Sequence, residues 1–326
     1  MTRQRHWLVV LLWGAAGCFG QQATAVGQDL LVANNTASFN ESILRFSATG
    51  ECLGNFAPTP YRSGPVGLAF DPTGNLYVAN HSNNSIHRYS RTGVDLGVFA
   101  TAGLNMPTGL AFNRRGQLVV CNYGDGSLSF FSATGTWLAR VNTGLLNPLA
   151  LALDSCDNIF VSIPNLGANS GVFRFEPSGT QRTLFAAGID LDPRGLAFDR
   201  TGNLYVANQH GSSVRRYSAE GTFLDTFAAT GLRDPFALAF DACGDLYISN
   251  QAGGTIRHYS ACGEDLGIFA TVPSTFANPV GLAFLPVPEP TVPVLLLFST
   301  GFIRLISNRR RPAPTRHSPA HKQRMN

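Results

Sequence analysis

Lysine is almost missing from this chain: Lys322 is the single one among 326 residues, and charged residues of every kind make up 13%. The formal charge of +4 misdescribes the body of the protein, because between Val26 and Leu285 there are 19 Asp and Glu against 15 Arg. The positive excess belongs to the two ends, and a nucleic-acid footprint on the body is excluded, since phosphate binding needs clustered cations. No apolar heptad pattern is sustained, which argues against helical bundles. The six cysteines form no C-x-x-C and no Cys/His spacing of a zinc site. No G-x-S-x-G nucleophile turn occurs. Long apolar runs are confined to the two ends, near residues 7–17 and 291–306.

What the chain does have is glycine, 34 of them, with 10% aromatic residues and little charge, the composition of a turn-rich all-β protein. The stretch GLAFDPTGNLYVAN at 67–80 returns at 195–208 with one substitution. Its first half occurs six times, as GLAF, ALAL or ALAF beginning at Gly67, Gly109, Ala150, Gly195, Ala237 and Gly281, in steps of 41 to 45 residues. Its second half also occurs six times, from Asp29, Asn75, Gln117, Asn158, Asn203 and Asp245. Each unit holds four short apolar segments separated by turn residues, which predicts a six-bladed β-propeller of four-stranded blades. The first unit lacks a GLAF before it and the last GLAF lacks a second segment after it. The strand around Val280–Phe284 should therefore complete the first blade and close the ring, hiding the sheet edges. The Gly or Ala opening each first segment fits an innermost strand where larger side chains would crowd. Asp71, Asp154, Asp199 and Asp241, which follow these strands, read as residues that bond their own turns.

The wording NLYVANHSNNSIHRYSRTG resembles NHL-repeat propellers, over about residues 28–285. That resemblance implies a fold and leaves function open, since such propellers serve as enzymes, sensors and binding platforms. The same fold is similar to gluconolactonase-type hydrolases, whose carboxylate and Asn or Asp side chains hold a divalent cation in the central channel. Here no Glu opens an inner strand, and oxygen ligands for Ca2+ are not evidently gathered. NHL-type amidating lyases place histidines on a transition metal, but His81 and His210 fall in opposite units, and His87 and His258 in third strands away from the axis.

Residues 1–25 have the layout of a signal peptide: Arg3, Arg5 and His6, the run WLVVLLWGAAG, then Ala23-Thr24-Ala25, with cleavage expected after Ala25. A lipoprotein anchored at Cys18 is the alternative. In the sixth unit, Cys243 and Cys262 lie equally far from a hairpin turn at Ala252–Gly253, which predicts a Cys243–Cys262 disulfide in an oxidising compartment. Cys52, Cys121 and Cys156 have no evident partner.

Beyond the propeller (26–285), the tail 286–326 carries Pro288-Glu289-Pro290, an apolar stretch interrupted by Arg304, and the cluster Arg309, Arg310 and Arg311. At 16 residues, 291–306 would make a helix of roughly 24 Å, short for the ~30 Å hydrocarbon layer. This order of parts resembles the PEP-CTERM sorting signal, which implies an exosortase-type processing enzyme as partner, transient anchoring in the inner membrane, and a product at the outer surface or matrix of a Gram-negative-type cell. A permanent membrane anchor is the alternative.

The loops joining second to third strands, and fourth strands to the next first strand, share one face of the disc. On it fall Asn34, Asn80, Asn122, Asn208 and Asn250, then His81 and His210, and Arg62, Asn105, Asn147, Asp190, Asp192, Arg233, Asp234 and Asn278. The recurrent asparagines suit a turn-forming role. The fourth unit breaks the pattern with Ile163-Pro164 and a longer loop holding Asn165, and the first does so with NNTASFNES. Such departures are better functional candidates, because the architecture does not demand them. These readings predict a binding or scaffold protein without evident catalysis, whose polar face meets an exopolysaccharide or another surface protein, with no cofactor. A metal-dependent lactonase-like hydrolase, using Ca2+, is the other reading.

Overall fold

The computed structural model describes residues 27–35, 41–60, 62–164, 170–187, 192–273 and 277–287. The expected signal peptide, Asn165, Asp190 and the sorting-signal residues Pro288, Glu289, Pro290, Arg309, Arg310 and Arg311 lie outside these. Among the described residues no helix is long and apolar enough to cross a membrane.

The twenty-four strands of the described residues fall into six four-stranded antiparallel sheets. The second blade shows the unit: β4 (Pro65–Phe70) innermost, then β5 (Leu76–Asn80), β6 (Ser85–Tyr89) and, outermost, β7 (Asp95–Ala100). Blade 3 runs from β8 (Pro107–Phe112) through β9 (Leu118–Asn122) and β10 (Ser127–Phe131) to β11 (Trp137–Asn142). Blade 4 begins with a short β12 (Leu151–Leu153), followed by β13 (Ile159–Ile163), β14 (Gly171–Phe175) and β15 (Arg182–Ala187). The inner strands of blades 5 and 6 are β16 (Pro193–Phe198) and β20 (Pro235–Phe240).

The sheet of blade 1 is built from both ends of the propeller. Its inner strand is β24 (Pro279–Phe284), which pairs with β1 (Leu30–Asn34) in the register Leu30↔Phe284, Val32↔Leu282 and Ala33↔Gly281. Two further bonds stitch the chain beside this seam, from the Leu285 N–H to the Asp29 carbonyl at 2.9 Å and from Gln28 Nε2 to the Leu285 carbonyl at 3.2 Å. The ring closes as the phase of the repeat predicts.

Among the described residues there is no single core. Buried side chains form six clusters, one in each wedge between adjacent blades. At four wedges an aromatic ring on the second strand is held edge-on between two phenylalanines. Tyr77 meets Phe99 of its own blade and Phe112 of the next, both with centroids 4.8 Å apart. Phe160 meets Phe185 and Phe198, and Tyr205 meets Phe227 and Phe240. Tyr247 meets Phe269 and then Phe284 across the closing seam. Such edge-to-face pairs add about 0.5–1.5 kcal/mol beyond area burial. Leu31 and Val119 occupy the equivalent positions of blades 1 and 3 with aliphatic or mixed neighbours.

The small residue opening each inner segment has a steric cause. A Cβ added at Gly67 would land on the Thr108 carbonyl oxygen of the next blade, and one at Gly281 on that of Val66. The aspartates after these strands are turn residues: Asp71 Oδ1 accepts the N–H groups of Thr73 and Asn75, both at 2.9 Å. Asp154, Asp199 and Asp241 repeat the arrangement.

Cys243 is a free, exposed cysteine, so the expected Cys243–Cys262 bond is not formed. The hairpin register is as expected, with Leu246 opposite Tyr259. The ladder ends there. Asp241–Gly244 and Ser260–Gly263 are both turns, closed by the N–H of Gly244 on the Asp241 carbonyl and that of Gly263 on Ser260. Opposition along strands does not continue through two turns that leave the sheet. Cys52 and Cys156 are exposed and free, and Cys121 is buried and free.

Candidate functional site

The face carrying the loops between second and third strands is built on the recurrent asparagine. Its side chain does not point at solvent. Asn34, Asn80, Asn122, Asn208 and Asn250 are all buried, at 0–2% exposure. In four blades the side-chain carbonyl accepts an N–H from the loop that enters the inner strand. Asn34 takes that of Asn278 at 2.8 Å, Asn122 that of Asn105 at 3.0 Å, Asn208 that of Asp192 at 3.0 Å, and Asn250 that of Arg233 at 3.1 Å. The Asn122 amide also donates to the Gly103 carbonyl and to Ser127 and Ser129. These amides pin one loop set to the other, and four of the residues named as a ligand face, Asn80, Asn122, Asn208 and Asn250, are inside the disc.

Blade 2 departs from the pattern. The Ser63 N–H turns to the Pro60 carbonyl at 3.2 Å, and the Asn80 carbonyl oxygen is buried with no partner. Next to it His81 is half-buried, with its ring edge-on to Tyr123 and its Nδ1 buried without a partner. Burial lowers the His81 pKa below the usual histidine value, against a smaller opposing pull from a bond to the Met106 backbone. His210 is exposed on blade 5, across the ring, so the two histidines do not converge. His87 and His258 pair instead with Asp95 and Asp245 inside their own blades. Arg62 and Arg233 are exposed and Asp234 is half-buried.

The axis of the disc holds a cavity of about 120 Å³. Its wall is a ring of six equivalent leucines, Leu68, Leu110, Leu151, Leu196, Leu238 and Leu282, above the ring of Gly and Ala. Val66, Thr108, Leu149, Phe236 and Val280 complete the lining. A divalent cation needs hard oxygen ligands in number, and this wall does not fit one: the Thr108 hydroxyl is its one polar side chain, and it donates to the Pro148 carbonyl at 3.2 Å. Among the described residues no three His, Cys, Asp or Glu stand close enough together to hold a metal ion.

Beside this cavity is a group that the sequence reading passed over. The residue after the first proline of the inner strand is Val66, Thr108, Leu149, Phe236 or Val280 in five blades, and Arg194 in the fifth. Arg194 meets Asp192 at 3.2 Å, with Asp192 buried at 8% exposure. Its guanidinium lies 5.9 Å from the centre of the Phe236 ring, which lines the cavity, and its Nε is buried without a partner. Alignment of the six PxGLAF-type segments would have exposed it as the one charged residue at that place.

With this geometry in view, the chain compares with known proteins as follows. Residues 63–89 match the NHL repeat. No curated protein sequence matches the chain. Among solved structures it is similar to a chain of a nidogen/laminin complex, at 22% identity and a TM-score of 0.67, covering 80% of this chain and 99% of that one. It is also similar to a Xanthomonas campestris gluconolactonase, at 19% identity and a TM-score of 0.58, over 79% and 97% of the two chains. A third similar structure is virginiamycin B lyase from Staphylococcus aureus, at 15% identity and a TM-score of 0.59, over 78% and 88%. The protein is a six-bladed β-propeller in which residues 63–89 match the NHL repeat, and the solved structures it is similar to include a chain of a nidogen/laminin complex, a gluconolactonase and a lyase.

Proposed function

We propose that the protein is an exported binding or scaffold propeller of the cell surface or extracellular matrix. The observation that carries this reading is the apolar axis: where a gluconolactonase-type mechanism needs oxygen ligands for a cation, this channel offers leucine. The exported location rests on the signal-peptide layout of residues 1–25 and on the Pro-Glu-Pro, apolar stretch and arginine cluster of the tail. In this reading an exosortase-type enzyme processes the tail, and the disc meets an exopolysaccharide or another surface protein through exposed loop residues such as Arg62, His210 and Arg233. Calorimetric titration with Ca2+ and a lactone-hydrolysis assay test it together. A binding module gives neither response and retains a glycan on an array; saturable Ca2+ binding with lactone turnover overturns the reading in favour of a hydrolase.

A further inference from the structure

We propose that the central channel is a binding site for a small organic anion with an apolar body, of the benzoate type, whose carboxylate is held by Arg194 and whose ring enters the leucine collar. This goes beyond the surface-binding reading and does not depend on export, on a glycan or on the tail.

Three observations meet here. The cavity of about 120 Å³ is walled by Leu side chains and Phe236, somewhat smaller than the engineered apolar cavity of about 150 Å³ that takes up benzene. A single six-membered carbon ring therefore matches its scale. The one charged side chain at the second position of an inner strand, Arg194, lies outside the cavity lining but packs over Phe236, which is part of it, so a cation stands one side chain away from the apolar space. Nothing in the ring architecture requires it, since five blades place uncharged residues there. Finally, the guanidinium is under-used. It has five N–H donors in a planar fork, yet Arg194 makes one contact to Asp192, at 3.2 Å, and its Nε is buried without a partner.

The Arg194 side chain keeps 25% of its surface exposed, and a carboxylate is the acceptor whose geometry best matches the terminal nitrogens of a guanidinium. Asp192 keeps the fork in place from one side and disfavours an anion arriving from that side. The wall discriminates against polar acids, because hydroxyl groups among leucines would go without partners. The ligand class is thus opposite in character to a sugar acid.

Titration of the full-length protein with sodium benzoate, benzyl alcohol, acetate and gluconate, followed by calorimetry and by methyl NMR of the leucines, tests the proposal. Benzoate is expected to bind saturably one to one and to shift the six collar leucines, and acetate and gluconate to do neither. In Arg194→Met, benzoate should weaken roughly tenfold or more, the size of a lost charge-assisted bond, while benzyl alcohol keeps its affinity. The proposal is overturned by absence of saturable benzoate binding to the wild type, by shifts confined to other residues, or by equal benzoate affinity in the variant. Should the variant not fold, the wild-type leucine map decides alone.

Discussion

Truncating one asparagine at two equivalent places separates a structural from a ligand-binding role for the whole set. Asn122 is fully buried: it accepts the Asn105 N–H at 3.0 Å, and its two amide hydrogens are shared among Gly103, Ser127 and Ser129 at 3.2, 3.0 and 2.9 Å. Asn80 is equally buried, but donates to Ser85 alone at 3.3 Å, and its carbonyl oxygen is already without a partner. A net bond contributes about 1 kcal/mol, and a buried partner left unpaired costs about 1–3 kcal/mol. Asn122→Ala is therefore expected to destabilise by roughly 3 kcal/mol, and Asn80→Ala by roughly 1 kcal/mol or less. For a domain of this size the first corresponds to a fall in Tm of roughly 6–10 °C. Thermal and urea unfolding followed by far-ultraviolet circular dichroism read both variants. Equal losses, or a larger loss at Asn80, would refute the account of these amides as loop staples.

Two further outcomes are expected. Burial raises the Asp71 pKa, but bonds from Thr73 and Asn75 outweigh it and leave the carboxyl below its ordinary value, and Asp199 behaves alike. A carboxyl depressed in the native state stabilises above its unfolded pKa of roughly 4. That contribution is lost as pH falls through the folded value. The stability gap between wild type and an Asp71→Asn, Asp199→Asn double variant should close from about pH 5 downward, and a gap independent of pH in urea titrations would count against the turn geometry. Alkylation of the unreduced native protein, read by peptide mass, should label Cys52, Cys156 and Cys243 and spare Cys121, which is buried and whose thiol pKa is pushed up by burial. Protection of Cys243 would restore the hairpin disulfide.

The sequence carried the architecture because the repeat states each structural demand six times. The position of Gly67 must be small for the next blade's backbone to approach, that of Tyr77 is filled by a large or branched apolar side chain at a wedge, and Asp71 closes a turn. Demands of this kind recur wherever the geometry recurs, so periodicity alone reveals them. The disulfide expectation failed at a place where strand opposition was extended beyond Leu246 and Tyr259 into two turns. The asparagine face was misjudged for a different reason: a residue type reports its bonding capacity, whereas only the fold reports which loop uses it. Arg194 went unnoticed because its importance is a contrast with five aligned neighbours, and its place above Phe236 joins two different blades.

Correlated exceptions within the repeat show how the ring accommodates change. Four blades open the inner segment with Gly, and the residue fourth along their second strand is Ala33, Ala79, Cys121 or Ala207. The two blades that open with alanine, Ala150 and Ala237, carry Ser162 and Ser249 there instead. In both, the serine oxygen accepts the alanine N–H, at 2.9 Å from Ala150 and 2.8 Å from Ala237. Ser162 has a second task, donating to the Arg194 carbonyl of the next blade at 2.7 Å. Blade 4, which has the shortened inner strand, thereby fixes the backbone of the one charged residue beside the axis. On about 1 kcal/mol per bond, Ser162→Ala should cost roughly twice as much as Ser249→Ala in urea unfolding. It alone should also weaken the benzoate response that Arg194→Met weakens, since it frees the backbone that carries the guanidinium. A Ser249→Ala loss as large as that at Ser162, or unchanged ligand binding in Ser162→Ala, would show that blade 4 merely fills its place in the ring and does not position Arg194.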